Sequence, residues 1–225
     1  EAHSTTWIGE RALEAIADWG PEGNLLMVGF IKPHHPFDPP ASWAQMYDPR
    51  YLSLLPGWTD DVPPQDAAFS RGYFDNASLT RDALRRVMAH YYATISQIDH
   101  WVGRIVEALK ARGLYDGALV VFTSDHGEYL GHHHLLLKGN HLYDPLARVP
   151  LMIKWPHQTQ RAGTTASLVS TVDVAPTILA AAGLTPPPVM RGQDLARPVD
   201  REVICSEGTG GRGHGERAGR ELMAR

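Results

Sequence analysis

The sequence predicts an α/β fold, a mostly parallel, doubly wound sheet flanked by helices. Three observations predict it. Apolar runs of strand length recur at residues 24–31, 118–122 and 149–153. Segments with helical spacing lie between and around them, at residues 5–19, 80–112 and 171–182. The apolar runs do not alternate with polar residues, which fits strands covered on both faces, and strand–helix alternation fits parallel pairing.

Each element has its own local warrant. In the first helix Ile8, Ala12, Ile16 and Trp19 make one apolar face, and Gly20-Pro21 ends it. The run NLLMVGFI (24–31) stops at Lys32-Pro33-His34-His35-Pro36, because proline cannot extend a central strand. Residues 39–76 are rich in Pro, Asp, Gly and aromatics without a clear period, and read as a long ordered surface excursion lining a cleft. In the longest helix Leu84, Met88, Tyr91, Ile95, Ile98, Val102, Ile105 and Leu109 follow one another at alternating spacings of four and three, and Gly113 caps its end. The strand at 118–122 stops at Thr123-Ser124-Asp125-His126-Gly127. The last helix takes Thr171 or Asp173 as N-cap and ends at Gly183. Residues 1–204 read as one domain, incomplete on its N-terminal side, and residues 205–225 as a mobile Gly/Arg-rich tail.

Composition excludes several classes. The formal net charge of -4, with no basic stripe, argues against nucleic-acid binding. No apolar run is long enough for a membrane span. A single cysteine, Cys205, rules out an internal disulfide framework within these 225 residues.

Ligands of open α/β sheets bind beyond the carboxyl ends of the strands, where this chain concentrates its chemistry. Asp125 and His126 sit side by side at such an end, and Gly127 lets the backbone bend there. A hard cation would take the Asp125 oxygens, and an imidazole would shift preference toward Mn²⁺ or Zn²⁺. The competing reading is an aspartate that caps a turn beside an ordinary histidine. Lys138 follows three leucines and precedes Gly139. An ammonium in a partly dry site acts strongly on an anion, whereas a solvated one does little. His34 and His35 lie between Pro33 and Pro36, where one of them could protonate a leaving oxygen. His132, His133 and His134, with His141, read as loop histidines lining a cleft, positively charged below about pH 6.5. A zinc-binding module on that loop is the lesser alternative, since consecutive residues rarely converge on one tetrahedral ion.

Four stretches together resemble the sulfatase family of the alkaline-phosphatase-like superfamily, in the C-terminal portion of its catalytic region. They are FIKPHHPFDPP (30–40), HYYATISQIDHWVGRIVEALKARGLYDGALVVFTSDHGEYLG (90–131), KGNHLYDPLARVPLMIKWP (138–156) and STVDVAPTILAAAGL (170–184). The resemblance implies an alkaline-phosphatase-like sheet and hydrolysis of a small-molecule sulfate ester. It makes Asp125 and His126 two ligands of one divalent ion, Ca²⁺ or Mn²⁺. It gives Lys138 the sulfate group and the leaving oxygen, His34 the substrate and the leaving-group proton, and His133 a further substrate contact. The family's nucleophile, a formylglycine made from a Cys/Ser-x-Pro-x-Arg motif, has no counterpart in these 225 residues. The chain by itself is therefore expected to be inactive, and to need the N-terminal part of the same enzyme to complete its site. Hydrolysis of a phosphonate monoester or phosphodiester is the nearest alternative. A non-catalytic binding protein that keeps the fold is another.

Overall fold

The computed structural model describes residues 3–69, 75–139, 141–158, 163–210 and 219–224. The chain divides into two compact units, Glu1–Asp116 with Tyr129–Leu137, and Gly117–Glu128 with Lys138–Arg225.

The first unit carries four helices, α1 (Ser4–Ala17), α2 (Ala41–Ala44), α3 (Pro64–Phe69) and α4 (Arg81–Ala111). His3 starts α1 by accepting the Thr5 amide on its ring. The buried face of α1 is Thr5, Gly9, Ala12 and Ile16. Ala12 and Ile16 lie on the expected stripe. Gly9 joins it because α4 comes very close, so that a Cβ at Gly9 would lie 2.1 Å from Trp101 Cε3. Gln97 donates to Thr6 Oγ1 at 3.3 Å across the same contact. Arg112, just past α4, donates to the Ile16 and Trp19 carbonyls at 2.6 and 2.5 Å and to Ala17. It thus serves the orphan carbonyls and the negative end of α1.

Thr80 caps α4 by accepting the Ala83 amide at 3.1 Å. Gly113, at φ +67°, ends it, with the Leu114 amide reaching back to the Leu109 carbonyl at 2.9 Å. Leu84, Met88, Ile98 and Leu109 are buried as the spacing predicts, but Ile95 is 40% exposed. A strict seven-residue repeat drifts by about 20° per heptad around a straight helix. In mid-helix the buried stripe therefore runs through Ala89, Ala93, Gln97 and Trp101, the side that meets α1. Leu84 and Met88 join Leu79, Leu130 and Leu136 in a core edged by Leu52, Leu54 and Trp58. The excursion is tied to α4 by Tyr47 to Ser96 at 2.7 Å and Arg85 to the Leu52 carbonyl at 3.1 Å.

Residues 24–31 do not form the expected buried strand. They have no ladder partner among the described residues. Leu26, Val28 and Phe30 are half-buried, while Leu25, Met27 and Ile31 are exposed. An unalternating apolar run signals a need for cover on both faces, and the described residues cover one.

The second unit contains β1 (Val120–Thr123), α5 (Asp144–Ala147), β2 (Leu151–Lys154), α6 (Val174–Ala181), β3 (Cys205–Gly210) and β4 (Gly219–Ala224). β1 and β2 pair antiparallel, with Val120 opposite Lys154 and Thr123 opposite Leu151. The sequence suggests parallel pairs, and none is present among the described residues. Among the described residues the chain between β1 and β2 holds no crossover helix, and the four-residue α5 precedes the antiparallel return of β2. Both strands are half-buried, with Met152 60% exposed. β3 and β4 pair antiparallel from Cys205–Ala224 to Gly210–Gly219, and residues 211–218 lie outside the described residues. Among the described residues no helix is long and apolar enough to cross a membrane.

The start of α6 is held by a buried carboxylate. Asp173 stands at the N-cap position of α6, and the turn before it is capped by Ser170 in a capping box with Asp173. Asp173 is fully buried and accepts from the Ser170 and Gln193 amides at 2.8 Å each. Arg201 closes on it with bonds of 2.8 and 2.9 Å. Burial alone would push this carboxyl up, but Arg201 and the two amides outweigh burial and hold it below the usual carboxylate range.

Two predictions follow from these contacts. Gly9→Val forces a branched side chain into Trp101 and is expected to lower stability by about 1–3 kcal/mol in chemical denaturation, with Gly103→Ala, in open space, near neutral. Asp173 titrates lower in the folded than in the unfolded chain, where its value is about 3.9. Its contribution is thus fully present above about pH 4 and is lost as pH falls through the folded value. Asp173→Asn is expected to cost at least about 2 kcal/mol at neutral pH and to flatten the acid limb of a stability-versus-pH curve.

Candidate active-site residues

The Asp125–His126 turn follows directly from β1. Its backbone is seated on α5, with the Gly127 amide bonded to the Leu146 carbonyl at 2.8 Å and the Glu128 amide to the Pro145 carbonyl at 3.1 Å. A Cβ at Gly127 would stand 1.9 Å from the Pro145 oxygen. Glycine is required there for close approach, a stronger reason than the bend read from sequence.

Three bonds aim the side chains. Asp125 Oδ1 accepts the His126 amide at 2.9 Å, and Ser124 Oγ donates to the His126 carbonyl at 2.8 Å. His126 Nδ1 lies 2.7 Å from the Gly127 carbonyl. A carbonyl can only accept, so Nδ1 carries the proton and Nε2 keeps its lone pair. Nε2 stands 3.9 Å from Asp125 Oδ2. Two donor atoms at that separation can both reach one ion held about 2.3–2.6 Å from each. Burial tends to raise the Asp125 carboxyl, but the His126 amide and ring outweigh it and keep the group below the usual carboxylate range, hence ionised. The Asp125 side chain is 86% exposed, so its oxygens are accessible. Among the described residues no group of three or more His, Cys, Asp or Glu side chains could hold a metal ion. The histidine loop forms no zinc cluster among them either.

Lys138 opens the second stretch of the same unit and is half-buried, next to the buried pair Leu135 and Leu136 in sequence. His34 and His133 belong to the other unit. His34 Nδ1 faces the His35 carbonyl at 2.6 Å, and the two rings stack at 4.1 Å. The same carbonyl argument puts the proton on Nδ1. His34 is exposed and His35 half-buried.

His133 sits in a turn with backbone at φ 49°, flanked by His134 at φ 64°, Leu130 at φ 43° and Leu137 at φ 70°. Such conformations need support from the surroundings. The His133 amide donates to the Gly57 carbonyl at 2.8 Å, and Nδ1 meets Asp66 Oδ2 at 3.0 Å. Asp66 is fully buried in α3. His134 Nδ1 bonds the Thr59 carbonyl at 3.1 Å, and its ring lies 4.3 Å from Trp58. His132 stacks on His133 at 4.2 Å. Burial, then the neighbouring His133 ring, lower the His132 pKa, so this residue carries less positive charge near pH 6.5 than a solvated histidine would. The histidine turn is thus the anchor of the excursion. Asp66 escaped the sequence reading because an aspartate in the first turn of a short helix normally signals only a helix start. Lys32, whose ammonium lies inside the His34 loop, escaped it because a lysine ending an apolar run reads as solvated.

The surroundings now have known counterparts. The fold is shared with the phosphonate monoester hydrolase of Agrobacterium radiobacter, at a TM-score of 0.82 and 26% identity, over 95% of this chain and 47% of that one. An arylsulfatase of Clostridium perfringens is 29% identical over 202 residues, 86% of this chain and 41% of that protein. The multifunctional alkaline phosphatase superfamily protein PehA of Trinickia caryophylli is 31% identical over 211 residues, 87% and 41% of the two chains. The fold is therefore α/β and alkaline-phosphatase-like, as the sequence predicts. The sulfatase family model matches residues 2–184. The chain belongs to the sulfatase family, and spans about two fifths of the length of these curated relatives.

His133→Ala leaves the Asp66 carboxylate buried without this partner. The expected loss is about 1–3 kcal/mol in denaturant titration. Limited proteolysis is expected to cut within residues 52–63 faster than in the wild type, and His35→Ala to leave that cleavage unchanged.

Proposed function

We propose that this chain supplies part of the active site of a hydrolase acting on sulfate esters. The observation that carries the reading is the Asp125–His126 turn of a sulfatase-family chain, with an ionised carboxylate and an imidazole lone pair 3.9 Å apart. Both donors fit a divalent ion, Ca²⁺ through the carboxylate or Mn²⁺ through both. Such an ion, when bound, would polarise an ester oxygen.

The chain's own residues have distinct tasks in this reading. Asp125 and His126 hold the ion, with Ser124 and Gly127 fixing their direction. Lys138 offsets charge on the transferring sulfuryl group. His34, with Nδ1 already committed to the His35 carbonyl, donates from Nε2 as an imidazolium to the departing oxygen. His133 contributes chiefly by holding the excursion, and through it the substrate's surroundings. The nucleophile, by family resemblance a formylglycine, comes from residues outside this chain. The likeness to a phosphonate monoester hydrolase and to PehA supports a second reading, in which the same cations serve phosphoryl transfer.

In the full-length protein, 4-nitrophenyl sulfate is expected to be hydrolysed, and a chelator to abolish the rate. Asp125→Ala is expected to lower both bound metal and kcat/KM, the latter by about a hundredfold or more. The 225-residue chain alone is expected to give no turnover. Wild-type metal content and rate in Asp125→Ala would sink the assignment. A phenylphosphonate monoester turned over faster than the sulfate would select the second reading.

A further inference from the structure

Lys32 is a buried lysine whose ammonium lies inside the His34 loop. The residue is 8% exposed, although it ends an apolar run and adjoins two histidines and two prolines. Its Nζ donates to the Pro36 carbonyl at 2.5 Å, approaches the His34 carbonyl at 3.4 Å, and pairs with the Asp38 carboxylate. The acceptors are spread over residues 34–38, so the ammonium sits inside the loop. Pro33 and Pro36 carry no amide hydrogen, and the loop's backbone bonds include His34 to Ile31 at 3.2 Å and Asp38 to Pro36 at 3.0 Å. The Asp38 side chain is 57% exposed while that of Lys32 is 7% exposed. A simple surface ion pair would leave both outside. Here the lysine is turned inward onto carbonyls, and a buried ammonium holds them because losing them leaves a charge unsolvated.

We propose that Lys32 is a positioning residue for His34. It fixes the carbonyls on either side of His35, hence the peptide whose oxygen takes the His34 Nδ1 proton, hence the direction of Nε2. The inference rests on the sulfate ester reading, in which His34 protonates the leaving oxygen. Lys32 never touches substrate. It acts by keeping Nδ1–H on the His35 carbonyl and the ring in one orientation, so that the Nε2–H of the imidazolium is aimed at the departing oxygen.

The test uses the full-length protein with two esters, 4-nitrophenyl sulfate, whose leaving group needs little protonation, and phenyl sulfate, whose leaving group needs more. Lys32→Met, close in volume but uncharged, is expected to lose kcat/KM on phenyl sulfate by at least about tenfold more than on 4-nitrophenyl sulfate, the pattern of an impaired proton donor. Lys32→Arg, which keeps the charge, is expected to recover part of that gap. Lys32→Met/His34→Ala is expected to be no worse than His34→Ala, because the two act as one unit. Equal losses on both esters, or additive losses in the double variant, overturn the proposal. If Lys32→Met does not fold, Asp38→Asn carries the same comparison, with a smaller gap of the same sense, and equal losses overturn it likewise. A readout independent of turnover separates this proposal from the functional one. In ¹⁵N-histidine spectra taken where the ring is neutral, His34 is expected as the Nδ1–H tautomer in the wild type and to lose that preference in Lys32→Met. An unchanged tautomer overturns the positioning role even if the enzyme is a sulfatase, and a changed one sustains it even if neither ester is cleaved.

Discussion

Lys32, Asp66 and Asp173 are charged side chains withdrawn from water, and the loops around them are shaped by the need to give each charge partners. Lys32 draws in the carbonyls of residues 34 and 36, Asp66 receives the ring of His133, and Asp173 collects two amides and a guanidinium. None of these loops has a sheet to lean on. Regular elements supply the frame, α1 against α4 in one unit and β1 with β2 in the other, while the His34 loop and the histidine turn hold to buried charged groups. A hydrogen bond to a neutral partner contributes less than one to a charged group, and it is cheaper to lose. The cost of stranding the charge is what makes each arrangement single-valued.

Legibility in the sequence followed the range of the interactions concerned. Helices α1, α4 and α6 show in the spacing of apolar residues, and their ends show in Thr80, Gly113 and Gly183, because caps are local. The motif-bearing turn at Asp125 shows because β1 ends there abruptly. Strand pairing does not show. The run at 24–31 and the strands β1 and β2 have the composition of parallel, doubly covered strands, yet β1 and β2 pair antiparallel, since composition reports burial demand and not direction. The tail hairpin is hidden for a related reason: Gly-rich composition argues against packing, while a ladder needs only backbone.

The same limit applied to the candidate site. Asp125, His126, Lys138 and His34 stand out because of their position at the ends of apolar runs. Lys32 and Asp66 do not, because their significance lies in what surrounds them: carbonyls of residues 34 and 36 for one, a histidine 67 residues away for the other. His133 is the instructive case. The family resemblance implies a substrate contact, and the structure adds a supporting role, with a strained backbone held by Gly57 and Asp66.

The excursion is fastened near both flanks, by Tyr47 and Leu52 on α4 and by Gly57, Thr59 and Asp66 on the histidine turn. Between fixed ends, lengthening a chain adds entropy cost only logarithmically. Insertions there tax the scaffold little, since α4 and the turn stay where they are. Evolution is thereby handed an exchangeable cassette on a rigid beam, with room to diversify in length and chemistry while the reacting groups keep their places.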